Sequence, residues 1–372
     1  MKYYIIAGEA SGDLHGSNLI KAIKAIDEHA VVHAWGGDLM EAAGARLVKH
    51  FRDLAFMGFA EVIRHLPTIL GNLKFCKKDI VEFAPDVLVL IDYPGFNLRI
   101  AKWAKQQHIK VAYYISPQVW AWKESRVPAM KKNIDKMMVI LPFEKDYYKN
   151  KWNWDVDYVG HPLVEVVDAF YANEQYEKLN EGFSKPVISL LPGSRKQEIS
   201  KKLPIMLEAS TSFPGYHFIV AKAPGIDDAL YESFISNYTN VTAVKNKTYA
   251  LLSVASASLT TSGTATLETA LFGVPEVVCY KGSPVSYLIA KKLIKIKFIS
   301  LVNLIMDKEV VKELIQDELT PQNIILELKK ILDNKATLST MKKDYQALKN
   351  ILSAGGHASS NAAQIIVALS KQ

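Results

Sequence analysis

The sequence predicts an α/β protein built from two Rossmann-like domains, with parallel sheets facing across a cleft, and a helical C-terminal tail. Two observations carry this expectation. Short apolar runs alternate with amphipathic helical stretches through the first half of the chain, and the same alternation restarts near residue 186. Such alternation is the pattern of right-handed βαβ units and a mostly parallel sheet. The length agrees: 372 residues exceed one ordinary core and suit two.

In chain order, residues 3–7 read as a buried strand, followed by a Gly/Ser loop and a helix over 15–26. Residues 31–35 form a second strand, ended by Gly36 and Gly37. The run 86–91, Asp-Val-Leu-Val-Leu-Ile behind Pro85, is the strongest parallel-strand signal, and 111–115, 136–141 and 156–159 repeat it. A polar segment, 161–184, is read as the domain junction. Strands follow at 186–191, 216–220, 241–244, 256–259 and 276–280 with helices between them, and the pattern is helical from Thr320, interrupted at 353–356. The expected division is therefore 1–165, an N-terminal domain; 166–345, a C-terminal domain; and 346–372. That last segment is a helix that packs back on the first domain or is swapped in a dimer. Open α/β sheets bind ligands at the carboxyl ends of their strands, so chemistry is expected in the loops that follow them.

Composition narrows the classes. Apolar residues make up 49% and charged residues 22%, as in an ordinary globular chain. Lys and Arg number 45 against 38 Asp and Glu, a net charge of +7 that suits anionic partners such as phosphorylated substrates or an anionic membrane surface. No RNA-binding signature or zinc-type Cys/His spacing is present, so nucleic acid is the weakest of the anionic partners and none is expected. Cys76 and Cys279 lie far apart in apolar surroundings and read as buried thiols of a reducing compartment. The N-terminus lacks the pattern of a signal peptide, and no run reaches the 18 or so apolar residues of a spanning helix. A cytoplasmic chain with peripheral membrane contact is the expectation.

Five loops carry candidate chemistry. Gly8-Glu9-Ala10-Ser11-Gly12-Asp13-Leu14-His15-Gly16 follows the first strand; its glycines admit close approach and a helix start offers N–H groups to an anion. The plainer reading is a strand-to-helix turn with Asp13 as the cap. Asp92, at the end of the strongest strand, is placed to accept a proton from an attacking hydroxyl, or to cap the next helix; Asn97 closes the same loop. Gln118, Trp120 and Trp122 follow a further strand and read as a wall for a sugar or acyl group, or as core packing. In the second half, Gly193, Ser194 and Arg195 end a strand, and the Arg can clamp a phosphate. Ser262, Gly263 and Thr264 then open a helix as a diphosphate cradle, with Glu268 one turn on for ribose hydroxyls, or as an ordinary cap. Two greasy stretches remain: Phe59, Val62, Ile63, Leu66, Ile69, Leu70 and Leu73, read as a core-facing stripe, and the Lys-rich run 281–298. The latter reads as a basic amphipathic surface for anionic lipid or a solvated face.

Taken together these segments resemble the lipid-A-disaccharide synthase family. AGEASGDLHG, GGDLM, MGFAEV, DYPGFN, SPQVWAW, LPFE, VGHP, LPGSR and SGTATLE occur in that family's order from residue 3 to about 330. The resemblance implies a GT-B-type glycosyltransferase of lipid A biosynthesis. It implies that UDP-2,3-diacylglucosamine donates its sugar to 2,3-diacylglucosamine 1-phosphate with inversion, giving a β-1,6-linked disaccharide phosphate and UDP. It implies no metal or other cofactor, work at the cytoplasmic face of the inner membrane, and a homodimer exchanging C-terminal segments. By the same resemblance Asp92 is the essential acid and Glu9 the acid of the opening loop; Ser11, His15, Asn97, Gln118 and Trp120, in the first-half loops, are expected on the acceptor side. Gly193, Ser194, Arg195, Ser262, Gly263, Thr264, Glu268 and Asn303 fall on the nucleotide side. The chain departs from the family at Gly95, where a second Asp is frequent, and at Val302 and Lys308, where Pro and Arg are common. Two rival readings are a different GT-B enzyme acting on UDP-GlcNAc, either an epimerase or a lipid-linked GlcNAc transferase, and a non-catalytic nucleotide-sugar binding protein.

Overall fold

The computed structural model describes residues 1–54, 66–173, 179, 184–283 and 297–372. It divides into two compact units: Met1–Pro162 with Leu352–Gln372, and Leu163–Ile351.

The first unit holds a seven-stranded sheet in the order β3-β2-β1-β4-β5-β6-β7. Its strands are β1 (Lys2–Ala7), β2 (Val31–Gly36), β3 (Arg46–His50), β4 (Val87–Ile91), β5 (Val111–Tyr114), β6 (Lys136–Val139) and β7 (Asp157–Tyr158), all paired in parallel. The apolar runs are unbroken because both faces are covered. Tyr4 and Ile6 of β1 join a core with Cys76, Ile80, Phe96 and Ile100 on one face. Tyr3, Ile5 and Ala7 join Leu19, Ile20, Ile23, Ala362 and Ile366 on the other.

The second unit repeats the plan with six parallel strands in the order β10-β9-β8-β11-β12-β13. These are β8 (Val187–Leu191), β9 (His217–Lys222), β10 (Val241–Lys245), β11 (Ala255–Thr261), β12 (Glu276–Tyr280) and β13 (Lys312–Ile315).

Several expectations change. Strands β3 and β13 were not foreseen; both are edge strands, where Arg46, Lys49, Lys312 and Glu313 break the apolar run that marks a central strand. The first helix spans Ala10–Ile26, five residues earlier than expected. Its glycines are not loop residues. A Cβ on Gly12 would lie 3.0 Å from the Ala7 Cβ, and one on Gly16 would lie 2.7 Å from the Met40 sulfur, so they let the helix sit close to its neighbours. Segment 161–184, read as a junction, contains the helix Pro162–Ala172. The chain passes between units at 162/163 and again at 351/352, because the helix Lys335–Ser353 runs unbroken through the expected boundary at 346.

The C-terminal helix Ala358–Ser370 packs on the helix Ala10–Ile26 within the first unit. In the turn before it, Gly355 meets Gly160 backbone to backbone: a Cβ on Gly355 would lie 2.5 Å from the Gly160 Cα. Of the greasy stripe, Phe59, Val62 and Ile63 lie outside the described residues; Leu73 is buried in the core and Ile69 packs against it, while Leu70 is exposed. Most of the Lys-rich run, including Lys291, Lys292 and Lys295, also lies outside them.

Candidate active site

The first unit brings the carbonyl ends of β1, β4 and β5 together, and with them the acids of two loops. Asp92 follows β4 directly. Its φ is +44° and that of Tyr93 is +48°, two consecutive non-glycine residues in the left-handed region, a conformation that costs on the order of 1–2 kcal/mol each. The surroundings hold it there. Asn97 Nδ2 donates to the Asp92 carbonyl at 2.8 Å, to that of Ile91 at 3.2 Å and to that of Ile6 at 3.4 Å. The Tyr113 hydroxyl donates to the same Asp92 carbonyl, and Asp92 N–H donates to the Tyr114 carbonyl at 3.1 Å. Gly8 makes room for the turn, since a Cβ there would sit 2.4 Å from the Tyr93 ring.

The Asp92 carboxyl is pushed up to about 6, first by burial and then by the negative charge of Glu9, against a backbone N–H bond from Tyr93 that lowers it. A carboxylate poised there is strong enough to take a proton and still ionised near neutrality. Glu9 sits at the start of the helix Ala10–Ile26, and its side chain makes no cap bond. Ser11 is exposed on the first turn. Asp13 caps a different helix from the one expected. Its carboxylate accepts from Gly37, Met40 and Leu39 N–H at 2.8, 3.0 and 3.1 Å, fixing the start of Asp38–Ala42.

Two acceptor-side residues are buried. Asn97 is fully buried, and its Nδ2 holds the Asp92 turn. His15 is buried too; burial pushes its imidazole down to about 4, and Nδ1 has no hydrogen-bond partner among the described residues. His161, from the VGHP segment, is pushed down to about 3 by burial and by His15. Both rings are therefore neutral at pH 7. Gln118 is exposed. Trp120 is half-buried, its indole N–H donating to Glu144 Oε1 at 3.2 Å and its ring set edge-on against Phe143. Glu144 also accepts from Ile140 and Leu141 N–H at 3.2 and 3.0 Å, and burial pushes its carboxyl up to about 7. It was not among the expected residues. The signal was in LPFE: Pro142 at the first helical position and an acid two residues on, able to reach back to the helix start.

The second unit gathers the remaining residues at the ends of β8 and β11. Gly193 has φ +125°, and a Cβ on it would lie 2.4 Å from Glu198 Oε2. Ser194 and Arg195 are exposed, and Arg195 pairs with Glu198 at 3.2 Å. Gly263, φ +139°, precedes the helix Thr264–Leu271, whose first residue is exposed. Ser262 Oγ donates to the Ile299 carbonyl at 2.7 Å. Glu268 accepts from the Tyr249 hydroxyl at 3.0 Å, and burial raises its carboxyl.

Lys202 joins this group unforeseen. It is 2% exposed, donates to Thr261 Oγ1 and lies 3.9 Å from Glu198, with burial lowering its ammonium. Its signal was a lysine on the apolar stripe of Ile199, Leu203 and Met206.

Asn303, expected on the nucleotide side, is held inside the second unit. It is fully buried; Nδ2 donates to the Val311 carbonyl at 2.8 Å and to Glu313 Oε1 at 2.9 Å, and Oδ1 accepts from Val310 and Val311 N–H at 2.7 and 3.0 Å. Its hydrogen-bonding capacity is spent inside the fold.

The sequence profile of the lipid-A-disaccharide synthetase family matches residues 3–369. Lipid-A-disaccharide synthase of Trichlorobacter lovleyi is 37% identical over 358 residues, covering 95% of this chain and 93% of that protein. The enzyme of that name from Geobacter metallireducens is 38% identical with the same coverages. Among solved structures, the glycotransferase of kitacinnamycin superposes with a TM-score of 0.69 at 15% identity, covering 99% of this chain and 98% of that one. UDP-GlcNAc 2-epimerase from Neisseria meningitidis superposes with a TM-score of 0.67 at 14% identity over the whole of both chains. These structural likenesses establish the shared GT-B fold. A profile spanning nearly the whole chain, with close relatives of one name, places this protein in the lipid-A-disaccharide synthetase family.

Proposed function

We propose that this chain transfers 2,3-diacylglucosamine from UDP-2,3-diacylglucosamine to 2,3-diacylglucosamine 1-phosphate, inverting the anomeric centre and releasing UDP. Membership of the family supports the reaction. The observation that carries the mechanism is Asp92, a carboxyl raised to about 6 on a strained turn at the end of β4. The acceptor 6-hydroxyl attacks the anomeric carbon from the face opposite UDP. As the new C–O bond forms, Asp92 takes the hydroxyl proton and the bond to the diphosphate breaks. Glu9 keeps the Asp92 carboxyl basic through its charge. Arg195 and the N–H groups at Gly263 and Thr264 stabilise the charge gathering on the departing diphosphate. Ser194, Ser262 and Glu268 complete the donor side, with Lys202 behind them; Ser11, Gln118 and Trp120 serve the acceptor.

We assign the protein to the membrane surface as a peripheral enzyme. No described helix is long and apolar enough to cross a membrane, and the net charge of +7 favours an anionic surface. A homodimer is part of the same reading, its C-terminal helix exchanged onto the face that Ala358–Ser370 occupies here.

The test is turnover of donor and acceptor, scored by mass spectrometry for disaccharide phosphate and UDP. Product supports the reaction; conversion of UDP-GlcNAc without use of the acylated donor would point to the epimerase reading. Asp92→Ala should lower kcat by about 10²–10⁴, the usual worth of a general base. A variant of near-normal kcat removes Asp92 from that role.

A further inference from the structure

A groove of about 290 Å³ in the first unit is lined by the helices Pro94–Gln106 and Val127–Asn133, together with Ile134 just beyond. Leu98, Ala101, Met130 and Ile134 supply apolar surface. Ala101, Met130 and Ile134 belong to the unit's core, so this part of the wall is fixed. Arg99, Lys102 and Arg126 line it as well, and none of its lining residues is acidic. Arg99 and Lys102 are exposed, and Arg99 Nη1 donates to the Gly95 carbonyl at 2.8 Å. Beside them Trp122 is 46% exposed, with the Arg126 guanidinium 5.8 Å from its ring centre.

A concavity of this size is at the lower end of small-molecule sites. Its chemistry asks for an occupant that is apolar along its length and anionic at one end. An acyl chain on a phosphorylated head group has that form: the chain lies on the apolar wall, and the cationic heads, on stems that are themselves apolar, meet the phosphate. Pro94 and Gly95 belong to the same lining, two and three residues after Asp92. A chain held here is tied to the segment that carries the proposed base.

We propose that this groove is the acyl subsite of the acceptor, taking one fatty chain of the acylated sugar phosphate, with Arg99, Lys102 and Arg126 facing its phosphate. The subsite rests on the acylated acceptor proposed above. It adds where the chain goes and predicts that acceptor binding tightens with chain length, by about fourfold per buried methylene.

The experiment compares the full-length protein with Ala129→Trp, which fills the groove from an exposed lining position, and with Lys102→Glu, which reverses a charge at an exposed one. Each is assayed with short- and long-chain 2,3-diacylglucosamine 1-phosphate. Ala129→Trp should raise KM for the long-chain acceptor by about tenfold or more, the loss of two buried methylenes. It should flatten the dependence on chain length while kcat and donor KM stay near wild type. Lys102→Glu should raise acceptor KM for both chain lengths, and it serves alone if Ala129→Trp fails to fold by circular dichroism.

A long-chain acceptor carrying a terminal diazirine gives a readout independent of turnover. Cross-links within 94–106 and 127–134 support the subsite, even if the wild type makes no disaccharide and the reaction itself is refuted. Cross-links elsewhere, or an unchanged acceptor KM in both variants, overturn it. Variants that lose only partition onto phosphatidylglycerol vesicles, with acceptor KM intact, assign the groove to bilayer lipid and overturn it too.

Discussion

Asp92 is costly for the fold and useful for the reaction, and pH separates the two. Its folded pKa, about 6, lies above the ordinary 3.8, so burial disfavours the ionised form. The sign follows: this group's contribution to stability is fully present below pH 4 and is lost as pH rises through 6. Asp92→Asn removes the buried charge while keeping a side chain that tolerates positive φ. At pH 8 the variant should therefore be more stable than wild type, on the order of 3 kcal/mol, with the gap closing toward pH 4. Urea unfolding at the two pH values measures it, and an equal gap at both would refute the assigned charge state. Activity runs the other way: kcat/KM for the acceptor should fall as pH drops through about 6, and Glu9→Gln, by removing the repelling charge, should move that limb to lower pH. His15 and His161 have the opposite sign. Their folded values, about 4 and 3, lie below the ordinary 6.5, so they withdraw stability as pH falls below 6.5.

At the scale of elements, the return of the chain to its first unit depends on a contact between two glycines. Gly355→Ala would ordinarily be neutral or mildly stabilising. Here its Cβ would fall 2.5 Å from the Gly160 Cα and 2.6 Å from the Gly160 nitrogen, and backbone cannot give way as a flexible side chain does. The substitution should loosen Ala358–Ser370, whose Ala362, Ala363 and Ile366 are buried against the first unit. Limited proteolysis near residue 355 should accelerate, while Gly215→Ala, where a Cβ meets nothing within 4 Å, should not change it. The same elements explain what could be read in advance. Central strands such as Val87–Ile91 announce themselves because both faces are buried; edge strands such as Arg46–His50 do not. Gly12 and Gly16 looked like a loop because sequence shows that a Cβ is missing but not what stands in its place, here Ala7 and Met40. Asp92 and Glu9 were legible as acids at strand ends. The burial of Asn97 and Asn303 was not, since the carbonyls that accept from their amides, those of Ile6, Ile91 and Asp92 for the one and Val311 for the other, are brought to them by the fold and leave no mark in the sequence.

For the molecule as a whole, the proposed division of labour assigns the two substrates to different units, and hydrogen exchange can test it without turnover. UDP alone carries the donor's diphosphate and lacks the acceptor. At a hundred times its Kd it stabilises the state that binds it by about 2.7 kcal/mol. Protection should appear where the second unit carries the proposed diphosphate cradle: around Gly193–Arg195, at the start of Thr264–Leu271, and along Lys196–Ser210 through Lys202. Lys202 is the sharper probe. Its ammonium is held in low dielectric against Thr261 and Glu198, where a positive charge acts on a neighbouring phosphate with little screening. Lys202→Met keeps the volume and removes the charge, and should weaken UDP by roughly 10–100-fold, the worth of one charge-assisted hydrogen bond. The protection pattern should persist at saturating UDP. Protection centred on 87–133 instead would place the nucleotide in the first unit and reverse the assignment of donor and acceptor. Unchanged affinity in Lys202→Met would leave that lysine as a strut for Thr261 with no part in holding the diphosphate.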